Sequence, residues 1–503
     1  MNIKYKKTIV KTEFGDWQTP FELAQSICSL VSERIKPNLV LEPNCGTGTF
    51  LKATTIAFPE ATRFLGFDIN ANYVLEAQSI NNKAMEVIQG DFVTIDWKRY
   101  LNKSPEPILV IGNPPWVTNA QLMRIGSQNL PKKFNINGFN GIDAITGKSN
   151  FDISEWMLIK EIEALQGKDT LLAMLCKTAI ARKVITYAWK NSLFFTNAEI
   201  RKIDVQRYFG VAVDACLMLI RFHPDSDNAN STCYVFDSLS TKKSSYALGL
   251  RNGKLVSRVD LVDKYSELID ENQSVFRWRS GIKHDCSKVM ELKILSNGHF
   301  LNGLNEHVNI EHDLLFPMLK SSDLANGKIE YIHKFMLVPQ RAIGNNTEFI
   351  ASLYPNTWKY LQAHEGLLNK RKSSIYCGKP KFAIFGVGEY SFTPWKVAIS
   401  GLYKSLNFRV IGPYEKKPVL FDDTCYFLPC QSKEESLLMK ELLESEVCSE
   451  ILNSFVFWDS KRPITKDVLS LIDFYKIACF IGRKEEFIKT FEHIIWTKQA
   501  TLL

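Results

Sequence analysis

The chain has 503 residues, of which 45% are hydrophobic and 23% are charged. This length predicts two or three domains, and the composition is typical of a globular protein rather than a disordered or fibrous one. The formal net charge of +8 is mild and by itself does not require a polyanionic partner.

Neither secretion nor membrane insertion is expected. No uninterrupted apolar stretch reaches the roughly 18–20 residues that span a bilayer. The basic residues at the N-terminus are not followed by the apolar core and cleavage site of a signal peptide. The eleven cysteines are scattered, without a Cys-x-x-Cys pair or a Cys/His cluster. We therefore expect a cytoplasmic protein with reduced thiols and no bound metal.

The first half of the chain alternates short apolar segments with helical ones. Strands are predicted over 39–42, 64–70, 84–89 and 108–112, and helices over 51–56 and 71–81. Strand–helix alternation at this spacing predicts a doubly wound parallel α/β sheet. Such sheets bind ligands beyond the carboxyl ends of their strands, so the residues that follow each strand are expected to converge on one ligand.

The first three strands are followed by residues suited to ligand binding. Gly46 and Gly48 would let the backbone approach a ligand closely. Asp68 ends the second strand, where a carboxylate could accept both hydroxyls of a ribose. Asp91 follows the third strand and could accept from an exocyclic amine while Phe92 packs on a purine. Each residue could instead form an ordinary turn or helix cap, but their order along one rim favours a ligand site.

The tetrapeptide Asn113-Pro114-Pro115-Trp116 follows the fourth strand and is the most informative segment of the chain. Its two prolines fix the backbone and restrict the residue before them, so an amide and an aromatic ring are held rigidly at the sheet edge. An amide acceptor, a prolyl carbonyl and a flat ring suit a planar substrate that carries an amino group. A proline turn with a buried Trp is the plainer alternative for this segment alone.

In this order the segments resemble the motifs of S-adenosylmethionine-dependent DNA adenine-N6 methyltransferases, in the class with cofactor motifs first and the target-recognition region last. Residues 14–20 resemble the motif that helps hold the methionine part of the cofactor, and residues 42–50 resemble the cofactor loop. The resemblance implies cofactor contacts by eight residues: Thr19, Glu42, Pro43, Gly46, Gly48, Asp68, Asp91 and Phe92.

The same resemblance implies a catalytic role for Asn113, Pro114 and Trp116. It assigns a second aromatic contact with the target base to Phe209, with Tyr208 as the alternative residue. The other interpretation is that this aromatic side chain is simply part of the core. The family more often has Tyr or Phe where this chain has Trp116. In the implied mechanism the target adenine is flipped out of the duplex, and its amino group binds the Asn113 amide and the Pro114 carbonyl. Its ring stacks on Trp116 and Phe209.

Beyond about residue 240 the strand–helix alternation fades. Basic and aromatic residues lie close together in the segments 277–284, 331–335, 338–341 and 379–396. Such segments suit contacts with phosphates and base edges, although ordinary surface charge on a β-rich domain is the alternative. The residues 433–453 have helical apolar spacing and predict one amphipathic helix. We expect a Rossmann-like methyltransferase domain over 1–240 and a mixed α+β target-recognition domain over 241–503.

The resemblance implies methyl transfer from S-adenosyl-L-methionine to N6 of adenine in double-stranded DNA, within a restriction–modification system. It also implies a separate cognate endonuclease as partner, and we expect a monomer. Methylation of ribosomal RNA adenine, of N4 of cytosine in DNA or of release-factor glutamines remains as an alternative. The RNA and glutamine enzymes are typically shorter, and the cytosine enzymes usually have Ser or Asp in place of Asn113. A DNA-binding specificity subunit with an inert methyltransferase fold is the alternative of another class.

Overall fold

The structure is a computed structural model, which describes residues 17–117, 152–211, 213–225, 231–251, 253–269, 275–296 and 298–493. The chain divides into two compact units, of which the first ends at Val259 and the second begins at Asp260. Each unit contains its own buried apolar clusters. The two units are therefore described separately.

The first unit is built on a ten-stranded sheet. Its strands are β1 Leu39–Glu42, β2 Arg63–Asp68, β3 Met85–Gln89, β4 Ile108–Gly112, β5 Thr170–Lys177, β6 Asn197–Lys202, β7 Ala215–Phe222, β8 Thr232–Phe236, β9 Tyr246–Arg251 and β10 Lys254–Val256. Their order is β10-β9-β8-β6-β7-β5-β4-β1-β2-β3. The strands from β3 to β5 in that order pair in parallel, and β7 is antiparallel to both of its neighbours. Successive strands are added on one side of β1 up to β3 and then on its other side from β4. The order of the strands thus reverses between β1 and β4, and doubly wound sheets bind ligands at such a point.

Helices connect and flank these strands. They are α1 Phe21–Ser32, α2 Thr49–Ala57, α3 Ala71–Gln78, α4 Trp97–Leu101, α5 Ile153–Ala164, α6 Thr178–Lys190 and α7 Val205–Phe209. Every residue of β1 and β4 is buried, as expected for central parallel strands with both faces covered. The short helix α7 ends where Gly210 adopts the left-handed conformation (φ 69°), which glycine adopts at little cost. The predicted doubly wound α/β fold is thus confirmed in the first unit.

The first unit extends beyond the predicted boundary at residue 240. The strands β9 and β10 lie after that residue, yet β9 pairs antiparallel with β8, and β10 pairs antiparallel with β9. Antiparallel neighbours can be joined by short turns, so the strand–helix alternation stops in the sequence while the sheet continues. The compact units therefore divide after Val259, later than the sequence predicted.

The second unit combines two smaller sheets with short helices. Its strands are β11 Arg279–Ser280, β12 Glu291–Ile294, β13 Phe300–Leu301, β14 His307–Val308, β15 Leu315–Leu319, β16 Lys334–Leu337, β17 Trp395–Ser400, β18 Arg409–Ile411, β19 Leu420–Phe421 and β20 Cys425–Cys430. One sheet has the order β11-β20-β17-β18 and the other β14-β13-β12-β16-β15-β19. Neighbours are antiparallel except for the parallel pair β15 and β19.

Eleven short helices are described from Val259 onwards. They are α8 Val259–Lys264, α9 Ser287–Met290, α10 Ser321–Ala325, α11 Phe349–Leu353, α12 Pro355–Ala363, α13 Glu365–Leu368, α14 Lys433–Glu444, α15 Glu446–Phe455, α16 Lys466–Leu469, α17 Phe474–Phe480 and α18 Lys484–Thr490. The second unit is thus mixed α+β, as predicted. Within the described parts of both units, no helix combines the length and the apolar character needed to cross a membrane.

The prediction of one helix over 433–453 is wrong, because the structure has two helices there, α14 and α15. Ser445 lies between them with an extended ψ of 149°. Its hydroxyl accepts a hydrogen bond from the Cys448 backbone N–H at 3.4 Å and so caps the second helix. The apolar spacing runs through both helices, which is why the sequence pattern does not reveal the break.

Candidate active site

An open pocket of about 650 Å³ lies at the carboxyl ends of β1, β2 and β4. It therefore sits where the winding of the sheet reverses, as expected for a doubly wound fold. Five of the residues predicted from the sequence line this pocket: Thr19, Glu42, Gly46, Asp68 and Asn113. They come from the segment before α1 and from the ends of three strands. Three of the four marked strand ends therefore meet at this pocket, and the segment with Asp91 and Phe92 does not line it.

Asp68 ends β2 and is held by the loop that contains Gly46. Its two carboxylate oxygens accept hydrogen bonds from the backbone N–H groups of Gly46 (2.9 Å) and Asn70 (2.8 Å). These two contacts fix the carboxylate at the wall of the pocket. The alternative role of Asp68 as cap of α3 is taken by Asn70, whose side chain accepts from the Asn72 backbone N–H.

The loop after β1 depends on two glycines with different roles. Gly46 has a φ of 50°, and a Cβ there would lie 2.9 Å from the Gln18 side chain at the pocket wall. Gly48 has a φ of 82°, and a Cβ there would lie 2.7 Å from the Ile80 side chain. Gly46 therefore keeps the backbone open to the pocket, whereas Gly48 permits close packing below it.

Glu42 ends β1 as a buried carboxyl group in the pocket wall. Its Oε2 accepts a hydrogen bond from the Leu51 backbone N–H in α2 at 3.1 Å. Burial raises the pKa of Glu42 well above its ordinary value; the hydrogen bond from Leu51 opposes this shift, and the charge of Asp68 adds to it. A positively charged ligand group beside Glu42 would favour its ionised form.

Asn113 presents a buried hydrogen-bond acceptor. Its Nδ2 donates to the Trp17 carbonyl oxygen (2.8 Å) and to the Thr19 hydroxyl (3.3 Å). Because a carbonyl can only accept, the contact with Trp17 fixes which side of the amide carries the nitrogen. Within the described ranges, the buried Oδ1 of Asn113 has no hydrogen-bond partner. A buried acceptor left unpaired costs roughly 1–3 kcal/mol, so a ligand donor is expected at this atom.

Trp116 and Phe209, to which the resemblance assigned stacking on the target base, lie against each other. Their ring centroids are 5.6 Å apart with an angle of 52° between the planes, and Phe209 also meets Trp17 edge-on at 6.4 Å. These separations are those of aromatic rings in direct contact. The pair therefore leaves no space for a base between the two rings, and Trp116 itself is only 6% exposed.

Asp91 and Phe92 are not among the residues that line the pocket. The Asp91 carboxylate accepts from the Val93 backbone N–H at 2.9 Å, which closes a turn. The buried Phe92 ring packs against Trp97 (5.0 Å) and Trp156 (5.8 Å). Their role in cofactor binding stays a prediction, and the described geometry accounts for both residues as parts of a turn and a core.

Seven predicted residues lie outside the pocket lining: Pro43, Gly48, Asp91, Phe92, Pro114, Trp116 and Phe209. Nine lining residues were not predicted individually: Trp17, Gln18, Asn44, Cys45, Thr49, Phe50, Pro115, Ile69 and Tyr73. The first seven belong to segments that the motifs had marked. Ile69 and Tyr73 follow Asp68, the residue predicted to bind the ribose. Their position just after it in the chain is the sequence feature that could have identified them as lining residues. The residues 14–16 of the N-terminal motif lie outside the described residues.

A lysine at the end of β5 supports the segment of residues 113–116. Lys177 donates from Nζ to the Trp116 carbonyl oxygen at 3.4 Å and forms an ion pair with Asp152. The buried Asp152 also accepts from the backbone N–H (3.2 Å) and the hydroxyl (2.6 Å) of Ser154, at the start of α5. No sequence motif had singled out this contact. It ties Trp116 to the neighbouring strand and helix.

Comparison with known proteins supports a methyltransferase. M.NspV of Nostoc sp., a Type II methyltransferase, is 45% identical over 473 residues, which cover 93% of this chain and 98% of the relative. The solved structure of the Type IIL restriction-modification enzyme MmeI in complex with DNA aligns with a TM-score of 0.53 at 14% identity. That alignment covers 94% of this chain and 67% of the MmeI chain. No protein-family model matches the chain.

The likeness to MmeI concerns the fold alone, because the identity is low, but it extends over both units. The first unit has the Rossmann-like α/β fold of methyltransferases, and S-adenosyl-L-methionine is the expected cofactor. The relative from Nostoc is matched almost from end to end. The chain belongs to the Type II methyltransferases.

Proposed function

We propose that the protein transfers a methyl group from S-adenosyl-L-methionine to the N6 amino group of adenine in double-stranded DNA. The observation that carries this proposal is the Asn113 amide, whose Nδ2 is engaged and whose buried Oδ1 is an acceptor without a partner in the described part of the chain. An exocyclic amino group is the donor that fits this acceptor. The membership in the Type II methyltransferases and the DNA complex of MmeI support DNA as the substrate.

The pocket fits S-adenosyl-L-methionine. Its described lining includes two carboxyl groups, Glu42 and Asp68, and no Lys or Arg side chain. Such a wall suits a ligand that carries a positively charged sulfur and an ammonium group. Asp68 would accept hydrogen bonds from the ribose hydroxyls, Glu42 would face positive charge, and Gly46 would let the backbone approach. When bound, the cofactor supplies a methyl group already activated for transfer.

The chain's own contribution is to prepare the amine. The amino nitrogen of adenine is a poor nucleophile because its lone pair is delocalised into the ring. One N–H donated to Asn113 Oδ1 and a second donated to the Pro114 carbonyl would favour a tetrahedral nitrogen with a localised lone pair. Positioning and fixed dipoles then supply most of the acceleration, and no base or metal from the protein is needed in this scheme.

The aromatic residues would hold the flipped base at the cost of their own contact. Flipping costs a few kcal/mol, and stacking of a base on an aromatic ring contributes about 1–3 kcal/mol. Since Trp116 and Phe209 touch each other, we expect the base to separate the two rings or to stack on an outer face of Phe209. A change in tryptophan fluorescence on DNA binding would report this rearrangement.

Modification-sensitive sequencing of DNA from cells that express the protein tests the proposal directly. We expect N6-methyladenine at one recurring sequence context. Methylation at N4 of cytosine would replace the adenine assignment. A complete absence of DNA methylation by a protein that binds S-adenosyl-L-methionine would contradict the proposed substrate.

Two variants separate the catalytic from the cofactor role. We expect Asn113→Ala to lower the methylation rate by about 100-fold or more, because it removes a preorganised acceptor from the reacting group. Its affinity for S-adenosyl-L-methionine, measured by calorimetry, should persist. Asp68→Ala should instead weaken cofactor binding. Near-normal turnover of Asn113→Ala would show that the catalytic motif is misassigned.

A further inference from the structure

The second unit places the guanidinium groups of two arginines over the aromatic rings of one short turn. The turn is the 3-10 helix Glu389–Phe392. The guanidinium carbon of Arg279 lies 4.3 Å from the centroid of Tyr390, and that of Arg341 lies 4.2 Å from the centroid of Phe392. These three segments are far apart in the chain, and the fold brings their basic and aromatic residues to one place.

A third cation joins this group through a shared ring. Phe316 packs against Phe392 with ring centroids 5.2 Å apart. Arg341 lies 5.0 Å from the centroid of Phe316, and Lys417 lies 5.7 Å from the same centroid. We call these three cations and the rings of Phe316, Tyr390 and Phe392 the cation–aromatic cluster. Lys417 donates to the carbonyls of His312 and Leu315, so it adds charge from a fixed position.

Close backbone contacts hold the Arg279 segment against the turn. Lys283 and Phe385 exchange backbone hydrogen bonds of 2.8 and 2.9 Å. A Cβ on Gly386, which has a φ of 72°, would lie only 2.5 Å from the carbonyl oxygen of Gly281. Glycine at position 386 is therefore required both by the conformation and by the approach of the two backbones.

Gly388 makes room for the ring below Arg279. A Cβ there would lie 2.5 Å from the ring of Tyr390. The Gly386-Val387-Gly388 sequence thus gives the turn the shape in which Tyr390 can lie beneath the guanidinium. The contact with Tyr390 restrains the Arg279 side chain before any ligand arrives, which lowers the entropy lost on binding.

The two guanidinium groups are left without acceptors. Neither Arg279 nor Arg341 has an ion pair or a side-chain hydrogen bond with any residue in the described ranges. Arg279 is half-buried, and its buried Nε has no hydrogen-bond partner there. Arg341 is exposed. Donors in this state gain most from an external anionic acceptor.

We propose that the cation–aromatic cluster binds phosphate groups of the DNA backbone, with Arg279 and Arg341 as the contacting residues. This inference rests on the proposed function of the chain. A planar guanidinium fork matches the oxygens of a phosphate, and three cations gathered at one place suit a polyanion. Each guanidinium lies over the face of a ring. This position suits contact with a backbone that passes the surface more than with a base edge inside a groove.

The test uses the full-length protein with two duplexes, one that contains the site methylated in expressing cells and one with that site scrambled. Affinities are measured at several salt concentrations for Arg279→Gln and Arg341→Gln. Each variant should bind both duplexes about tenfold more weakly, and the slope of log affinity against log salt should fall in magnitude by about one. Arg341→Lys, which retains the charge without the fork, should keep most of the salt slope.

Arg483→Gln is the matched control, because it removes the same charge from a half-buried arginine that pairs with Glu441 and Glu486. Unchanged affinity and salt slope in both cluster variants, with melting temperatures like the wild type, would overturn the proposal. A loss confined to the methylated site would also overturn it, since it would indicate base reading. If the wild type bound neither duplex, the proposed DNA substrate would fail together with the cluster.

Discussion

Glu42 is an acidic side chain that the fold buries without a balancing cation. Among the described residues it forms no ion pair, and its carboxyl group accepts a hydrogen bond from the Leu51 backbone N–H. Burial is the main reason that the pKa of Glu42 is raised well above its ordinary value. The free protein thus holds a protonated carboxyl in the pocket over a range of pH where the unfolded chain holds a carboxylate.

This difference makes the stability depend on pH with a defined sign. Below about pH 4 the carboxyl is protonated in both states, so it has no effect on the pH dependence. As the pH rises above that value the unfolded chain releases its proton first, so the free energy of unfolding falls. Glu42→Gln, which stays neutral, should therefore melt like the wild type near pH 4 and at a higher temperature near pH 7.

Thermal denaturation of both proteins across this range, without cofactor, measures the effect. Glu60→Gln, a substitution at an exposed position, serves as the control and should leave the pH profile of the wild type unchanged. A wild type that gains stability relative to Glu42→Gln as the pH rises would show that Glu42 is ionised and stabilised in the folded protein. Such a result would remove the reason to expect a cation beside it.

The site residues that could be predicted are those whose position follows directly from a strand end. Glu42, Asp68 and Asn113 end or follow β1, β2 and β4, and all three line the pocket. Phe92 also follows a strand, but its ring turns into a core formed with Trp97 and Trp156. The sequence indicates where a residue leaves the sheet, whereas the direction of its side chain depends on distant packing partners.

At the scale of elements, the end of β5 and the start of α5 together hold the segment of residues 113–117 in place. Lys177 ends β5, Asp152 precedes α5, and both are joined by an ion pair. The Ile153 backbone N–H also donates to the Val117 carbonyl at 2.9 Å. Through Trp116 and Val117 these contacts fix the chain just after the two prolines, so Lys177 is a positioning residue rather than a catalytic one.

We predict that Lys177→Met lowers the methylation rate by about ten- to a hundredfold, since small displacements of reacting groups have effects of this size. The affinity for S-adenosyl-L-methionine should change little, because Lys177 does not line the pocket. Single-turnover methylation measures the rate, and the fluorescence of 2-aminopurine at the target position reports base flipping. Lys177→Arg should recover part of the rate.

Lys183→Met is the control for this prediction. Lys183 pairs with Glu155 at 2.7 Å, so it also links α6 to α5, but within the described residues it forms no ion pair or hydrogen bond with residues 113–117. Equal rate losses in the two methionine variants would indicate a general loss of stability. An unchanged rate in Lys177→Met would show that the prolines alone hold Trp116.

The elements that sequence patterns misplaced share one physical cause. In α14 and α15 the apolar spacing continues across Ser445, while the backbone leaves the helical conformation at that single residue. In β9 and β10 the sheet continues although the strand–helix alternation has ended. Periodicity reports which face is buried, and it carries little information on where one element stops or which sheet receives the next strand.

For the whole molecule, the main consequence of the fold is that each compact unit has a separate core. The cluster of the first unit includes Leu217 and the cluster of the second includes Met336, and both side chains are fully buried. Large proteins with separate cores usually do not unfold in one two-state step. A ligand that binds to only one of the two folded units stabilises that unit by mass action.

We therefore predict two transitions in calorimetric unfolding of the full-length protein. S-adenosyl-L-methionine at about 100 times its dissociation constant should add about 2.7 kcal/mol to the unit that contains the pocket, and so raise one transition only. Leu217→Ala and Met336→Ala assign the transitions, because each should destabilise its own unit by about 2–5 kcal/mol. The transition lowered by Leu217→Ala should be the one that the cofactor raises. If both variants lowered a single common transition, the two cores would unfold as one cooperative body, and cofactor binding in the first would also stabilise the second.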